Sequence, residues 1–254
     1  MKVWLNTGLV EASSAGVSQD GWPDGEGIFE TIKTEDGDVY ELGRHMRRAL
    51  ASANSLELRL PSEENIREAI QKLISVENFA IGRLRLFFAK GRFIAVHQRY
   101  DEVTEPARLM VFAGRDNLRD VSIKKFPYQH RLDLLSQAKA KGCTESILLN
   151  AEEEVTEGAV SNFLFRIDGK WVTTPLSSGV LPGVQRGIVI ERCGVTVKSI
   201  SKSDLNLVDA AFVISSLKIA LPVSNLDGRA LRIDQDCAAL EADIRAKTFR
   251  HSVG

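Results

Sequence analysis

The stretch from Val121 to Phe165 constrains this chain most, because it reads as a helix, a strand and a returning strand in one unit. A lysine pair (Lys124, Lys125) and Tyr128 lead into an amphipathic helix carrying Leu132, Leu135 and Ala138, which Gly142 closes as a left-handed cap. An apolar strand, Ser146 to Asn150, is followed by an acidic turn and a second strand from Val155 to Ile167. Along it Val160, Phe163 and Phe165 are interrupted by Ser161, Asn162 and Arg166. The unit offers an amine at its entrance and the Glu157 carboxylate on the returning strand. Spacing alone does not make a site of them, since such pairs are most often solvated surface.

The chain has 254 residues, enough for one large or two smaller domains. Its 33 basic and 34 acidic residues leave a formal charge of −1, which argues against nucleic-acid or membrane-surface partners. No apolar run reaches membrane-spanning length, and the N-terminus lacks the apolar core of a signal peptide, so a cytoplasmic protein is expected. Cys143, Cys193 and Cys237 are widely spaced with no CxxC and read as buried thiols in a reducing compartment. His45, His97, His130 and His251 show no metal-binding spacing, so no metal site is expected.

Taken in order, Lys2 to Asn6 reads as an edge strand, and the glycine-punctuated run from Gly21 to Lys33 leads into another. Asp36-Gly37 is a hairpin turn. A helix over Glu41 to Leu56 has Leu42, Met46, Ala49 and Leu50 on one side, with His45 and Arg48 sharing a face. Pro61-Ser62 caps a second helix, Glu63 to Val76. Strands follow at Ile81 to Ala89, Phe93 to Gln98 and Leu109 to Phe112. Arg83 and Arg85 alternate with apolar residues on the first of these, which fits a carboxylate anchor or an exposed face equally. A smaller α+β domain, 1–114, ends there, and a larger one, 121–254, begins with the lysine unit. In the larger domain Pro182-Gly183 turns into a helix ending at Gly194, whose first N–H groups suit a phosphate. A strand over Val195 to Ile200, a short helix after Ser203 and a buried strand, Ala211 to Ser215, come next. Ser215-Ser216 ends that strand. Asp227-Gly228 marks a hairpin, and a helix over Asp234 to Arg250 closes the chain.

Six segments together resemble the fold type IV class of pyridoxal phosphate enzymes: GEGIFET (25–31), HxxR (45–48), K(x)3Y (124–128), VTEGAVSN (155–162), LPGVQR (181–186) and SSLKIALPV (215–223). Each is weak alone, but all six stand in the family's order and spacing. The resemblance implies an α+β fold of two domains, a small α/β domain and a larger one with a mixed, barrel-like sheet, with the site between them and a homodimer. It implies pyridoxal 5'-phosphate as cofactor and a small-molecule substrate. Lys124 is the implied Schiff-base lysine and proton shuttle, with Lys125 its nearest competitor. Glu157 is matched to the pyridine nitrogen, and Arg48, the amides of Val184 and Gln185, and Ser216 to the phosphate. Tyr128 is matched to the ring oxygen, and Arg85 to a substrate carboxylate.

Within that class the residues favour an aminodeoxychorismate lyase, producing 4-aminobenzoate and pyruvate for folate synthesis. The chain is short for a transferase, and Leu217-Lys218 stands where transferases place small residues against the substrate carboxylate. A branched-chain or D-amino-acid aminotransferase is the alternative. A non-catalytic cofactor-binding homologue is a third, opposed by the presence of both Lys124 and Glu157.

Overall fold

The structure, a computed structural model, describes residues 1–115 and 122–253; Val121, where the larger domain was expected to begin, lies outside them. The chain opens with β1 (Lys2–Leu5), β2 (Gly8–Glu11), β3 (Gly27–Glu35), β4 (Asp38–Tyr40), α1 (Leu42–Ser55) and α2 (Glu63–Val76). It continues through β5 (Ile81–Ala89), β6 (Arg92–Arg99), β7 (Ala107–Arg115), β8 (Lys125–Phe126), α3 (Gln129–Ala140), β9 (Glu145–Leu149) and β10 (Val155–Gly158). Then come β11 (Asn162–Ile167), β12 (Lys170–Thr173), α4 (Val184–Arg192), β13 (Thr196–Val197) and β14 (Ala210–Ile214). It ends with β15 (Leu221–Leu226), β16 (Arg229–Ala230), α5 (Gln235–Ala246) and β17 (Arg250–His251). Helices and strands are segregated rather than strictly alternating, so the class is α+β.

These elements form two compact units. The first comprises Met1–Glu102, Ile123–Pro127 and the residues from Phe249 onward; the second holds the rest. In the first, strands run in the order β17-β4-β3-β5-β6-β1-β2, with β8 added beside β3. β1 therefore lies one strand in from the edge that Lys2 to Asn6 was expected to form. Asp36 and Gly37 both take positive φ (51° and 90°), giving the two-residue hairpin foreseen. α1 and α2 cover one face, burying Ile28, Ile32, Leu84, Leu86 and Phe88 against Ala49, Ala53, Ile66, Ile70 and Leu73. Ser62 caps α2, its hydroxyl accepting from the Asn65 N–H at 3.2 Å. The stripe that α1 buries is His45, Ala49, Ser52 and Ala53. Leu50 is turned outward, because a helical face is centred by its partner sheet and not by the largest apolar residues.

The second unit is built on a mixed sheet, β10-β9-β7-β15-β14-β11-β12-β13, with β16 beside β15. β7 pairs in parallel with both β9 and β15, and this pairing places it here and not beside β6. Its core holds Leu109, Ile147, Phe163, Phe165, Val213 and Val223. α3 packs Leu134 onto Leu148 and Ala159. That helix buries Arg131, Leu134 and Ala138, one residue round from the expected Leu132 and Leu135 face.

Three local expectations are corrected. Val155 to Ile167 is two strands broken at 159–161, not one. Only Thr196–Val197 pairs in the segment read as a strand from Val195 to Ile200, and α5 stops at Ala246 so that Arg250–His251 can pair with β4.

Candidate active site

The candidate residues fall into two groups, one in each unit. In the first, β8 pairs with β3 through Gly27 to Phe126 and Ile28 to Lys125, and the Phe29 N–H donates to the Lys124 carbonyl at 2.9 Å. A Cβ on Gly27 would stand 2.2 Å from the Phe88 carbonyl oxygen and 2.8 Å from the Phe126 ring, so glycine is what lets β8 approach. This gives Gly27 of GEGIFET a physical reason. The Lys124 ammonium lies 4.6 Å from the centre of the Phe29 ring. Phe126, two residues on and therefore on the same face, packs edge-on against Phe87 at 5.3 Å. Strand alternation turns Lys125 to the opposite face, where Ile123 joins the helix-side core.

His45 and Arg48, one turn apart on α1, both reach Glu30 of the same glycine-led strand. Arg48 forks onto the carboxylate, Nε to Oε1 at 2.8 Å and Nη2 to Oε2 at 2.5 Å, and His45 Nδ1 lies 2.6 Å from Oε2. Burial alone would raise the Glu30 carboxyl, but Arg48 and His45 outweigh it and hold it down at about 2. Burial lowers His45 despite the hydrogen bond and charge of Glu30, with Arg48 and Lys124 adding to the effect. Arg85 is buried, not on an exposed strand face. It donates to the Asp20 carbonyl at 2.8 Å and stacks 4.4 Å from the Trp22 ring centre.

In the second unit, the buried Glu157 carboxylate accepts from Arg131 Nη2 at 2.8 Å, from Asn162 Nδ2 at 3.3 Å and from the Leu181 N–H at 3.0 Å. Arg131 also donates to the Gly158 carbonyl at 3.2 Å, and the Tyr128 hydroxyl to the Ala159 carbonyl at 3.3 Å. The turn at 159–161 is held from beneath by Glu145. Its carboxylate accepts from the N–H groups of Ala159 (2.9 Å) and Val160 (3.3 Å) and from the Ser161 hydroxyl (2.6 Å).

The Leu181 contact carries Glu157's influence directly to the start of α4. Gly183 is the cap residue and has no side chain to satisfy the helix's first N–H groups. A Cβ there would stand 1.9 Å from Asn162 Oδ1. The Gln185 side chain is turned inward to the Thr248 hydroxyl at 2.9 Å, so what that residue can present at the helix start is its amide.

After β14, Ser215 to Ile219 form a tight turn. The Ser215 hydroxyl accepts from the Lys218 N–H at 3.1 Å, and the Ser215 carbonyl from the Ile219 N–H at 2.8 Å. Ile219 takes φ +59°, an uncommon conformation for a β-branched residue. Ser216, Leu217 and Lys218 are half-buried there. Burial pushes the Lys218 amine down, with Glu145 opposing and Lys139 assisting.

Four residues of these groups were not singled out by the sequence: Glu30, Arg131, Glu145 and Asn162. Arg131 lies three residues after Tyr128 and so shares its helix face, a signal that could have found it. Glu145 had none, because its partners come from a turn visible only once β10 and β11 are separate strands.

In the second unit, a carboxylate with fixed donors and a side-chain-free helix start suit a basic ring nitrogen and a phosphate. In the first, a lysine on an aromatic face suits an aldehyde. Comparison with known proteins points the same way. The profile of amino-transferase class IV matches residues 27–226. A D-alanine aminotransferase of Listeria monocytogenes is 27% identical over 90% of this chain and 88% of its own length. The branched-chain aminotransferase of Thermoproteus uzoniensis, solved with norvaline, superposes with a TM-score of 0.83 at 26% identity, covering 96% of this chain and 93% of that one. A putative 4-amino-4-deoxychorismate lyase of Legionella pneumophila shares the fold, with a TM-score of 0.79 at 22% identity over 88% of this chain and 91% of its own.

Proposed function

Because the chain belongs to the amino-transferase class IV family, which depends on pyridoxal 5'-phosphate, we propose that Lys124, Glu157 and Arg48 are its cofactor residues and that it removes the α-proton of an amino substrate. When bound, the cofactor supplies an electron-accepting ring that stabilises negative charge at the substrate carbon. Lys124 Nζ attaches the cofactor and moves the substrate proton. Glu157, held by Arg131, pairs with the ring nitrogen. Arg48, oriented by Glu30, binds the phosphate with the Val184 and Gln185 amides and Ser216. Tyr128 hydrogen-bonds the ring oxygen. Arg85 and the turn at Leu217-Lys218 engage substrate carboxyl groups.

We favour the lyase reading, in which aminodeoxychorismate gives 4-aminobenzoate and pyruvate. The observation that carries it is Lys218, a half-buried cation in the turn after β14, with no ion pair to a carboxylate among the described residues. An uncompensated buried charge is costly, and a substrate anion would relieve it. Amino-group transfer is the second reading, favoured by the full-length similarity to a D-alanine aminotransferase. A homodimer in the cytoplasm accompanies either reading.

The deciding experiment records the absorbance of the cofactor-loaded protein with an amino donor and no acceptor. Conversion of the cofactor to its amine form by glutamate, a branched-chain amino acid or D-alanine would establish transfer and remove the lyase. An unchanged band with all donors, with pyruvate released from aminodeoxychorismate, is the expected result. Lys218→Ala should raise the apparent KM for that substrate; an unchanged KM would count against its role.

A further inference from the structure

The start of α4 gathers positive charge that no carboxylate among the described residues pairs with. The helix is nine residues long, its cap Gly183 has no side chain, and no acidic residue stands in its first turn. Its leading N–H groups and its macrodipole therefore present only positive charge. Arg186, the third helical residue, adds a full charge there, although a cation in the first turn sits at the unfavourable end of the dipole. Its side chain is nine-tenths buried, with 6% exposed. Nε and Nη2 both donate to one neutral acceptor, the Thr174 carbonyl, at 3.0 Å and 2.7 Å. Nη1 makes no hydrogen bond, and the guanidinium no ion pair, among the described residues. Burial pushes the guanidinium below its ordinary range, with no carboxylate opposing it.

The charge is also held in place. Helical side chains lean toward the N-terminus, and the Arg186 Cβ lies 3.4 Å from where a Cβ on the cap residue Gly183 would stand. The Thr174 that receives the guanidinium donates its own hydroxyl to the Thr156 carbonyl at 2.8 Å, one residue before Glu157. Arg186 thus joins the helix start to the strand that carries Glu157. A buried cation facing a neutral carbonyl is costly, and so is a cation at the positive end of a helix. One anion at the helix start relieves both.

We propose that Arg186 is a positioning residue for the cofactor phosphate, supplying from behind the first turn of α4 the charge that keeps the phosphate dianionic at the helix start. It acts through that helix start, beside the roles already given to Arg48, Ser216 and the amides of Val184 and Gln185. This rests on the reading of the chain as a pyridoxal phosphate enzyme with its phosphate at α4, and it holds for lyase and transferase chemistry alike.

The test follows the phosphorus-31 resonance of the holoenzyme with pH in the parent, Arg186→Lys and Arg186→Gln. A phosphate ester ordinarily takes up its second proton near about pH 6. The parent should hold the dianion at least about one pH unit lower, as a nearby opposite charge does. Arg186→Lys keeps the charge and should follow the parent. Arg186→Gln keeps a donor for the Thr174 carbonyl but no charge, and its phosphate should titrate at least about one pH unit above the parent's. Arg186→Met is the second neutral variant if Arg186→Gln fails to fold. A merely structural role would lower the melting temperature of the variants and leave this titration where it was. A parent phosphate that titrates near about pH 6, a lysine variant displaced as far as the neutral one, or an equal displacement in the exposed control Arg99→Gln would overturn the role of Arg186. Failure of the parent to take up pyridoxal 5'-phosphate would instead overturn the reading beneath it. Inorganic phosphate added to the same proteins, followed by the same resonance, would then still decide Arg186.

Discussion

Arg131 Nη2 donates to Glu157 Oε1 at 2.8 Å, and both side chains are less than a tenth exposed (7% and 8%). Removing one partner of a buried ion pair strands the other charge, which costs about 3–5 kcal/mol. Arg131→Met should therefore lower the unfolding free energy by about that amount in denaturant titration, and Glu157→Gln should recover part of it in the double variant. Additive losses would mean that the two side chains are energetically independent.

The Glu30 carboxyl is held at about 2 in the folded chain against an ordinary 4.5. The unfolded chain therefore takes up the proton first as pH falls. The stability from this group is complete above pH 4.5 and is lost as pH drops toward 2, a difference of about 3 kcal/mol. The pH dependence of stability between 5 and 2 should be shallower in Glu30→Gln than in the parent, with parallel curves counting against the triad with His45 and Arg48.

His97 is buried against the Thr34 hydroxyl at 2.8 Å, and burial pushes it down to about 4 from 6.5. Its folded pKa is also depressed, so the unfolded state binds the extra proton and stability falls as pH drops from 6.5 to 4. In His97→Gln that part of the acid loss, about 3 kcal/mol, should be missing from thermal melts across this range. Gly82 leaves the space for the pair, since a Cβ there would meet both Thr34 Oγ1 and His97 Nε2 at 2.3 Å.

Gly183→Ala should cost Glu157 its Asn162 donor. Its Cβ would stand 1.9 Å from Asn162 Oδ1, so Asn162 must swing away from the carboxylate it now donates to. Cofactor retention on dialysis should fall at least about tenfold, the effect of one lost charge-assisted contact. Retention equal to the parent would show that the helix start tolerates the shift.

Glu145→Gln keeps the shape of the side chain and removes its charge, weakening the donors that fix 159–161. A loss of about 2 kcal/mol is expected, since hydrogen bonds to a charged acceptor are stronger than neutral ones. Proteolysis within the turn should rise with it, and unchanged protection would refute the bracing role.

Much of this was readable along the chain. The Asp36-Gly37 and Asp227-Gly228 turns, the Ser62 cap, the Gly142 helix stop and the Pro-Gly entry to α4 follow from the φ preferences and hydrogen-bonding groups of adjacent residues. So does the shared face of His45 and Arg48, which helical geometry sets within one turn. These are short-range effects, and local sequence suffices for them.

What the chain order could not reveal depends on residues distant along it. Leu50 points outward because β3 and β5 fix where α1 faces, and Arg131 points inward because Glu157, 26 residues later, supplies its counter-charge. β7 joins the second sheet through parallel pairing with β9 and β15. Arg83 and Arg85 read equally as a carboxylate anchor or an exposed strand face, and the contacts with Trp22, Asp20 and Gln98 rule out the exposed face. Burial and charge compensation belong to the packed structure, which is why neither could be read from the order of residues along the chain.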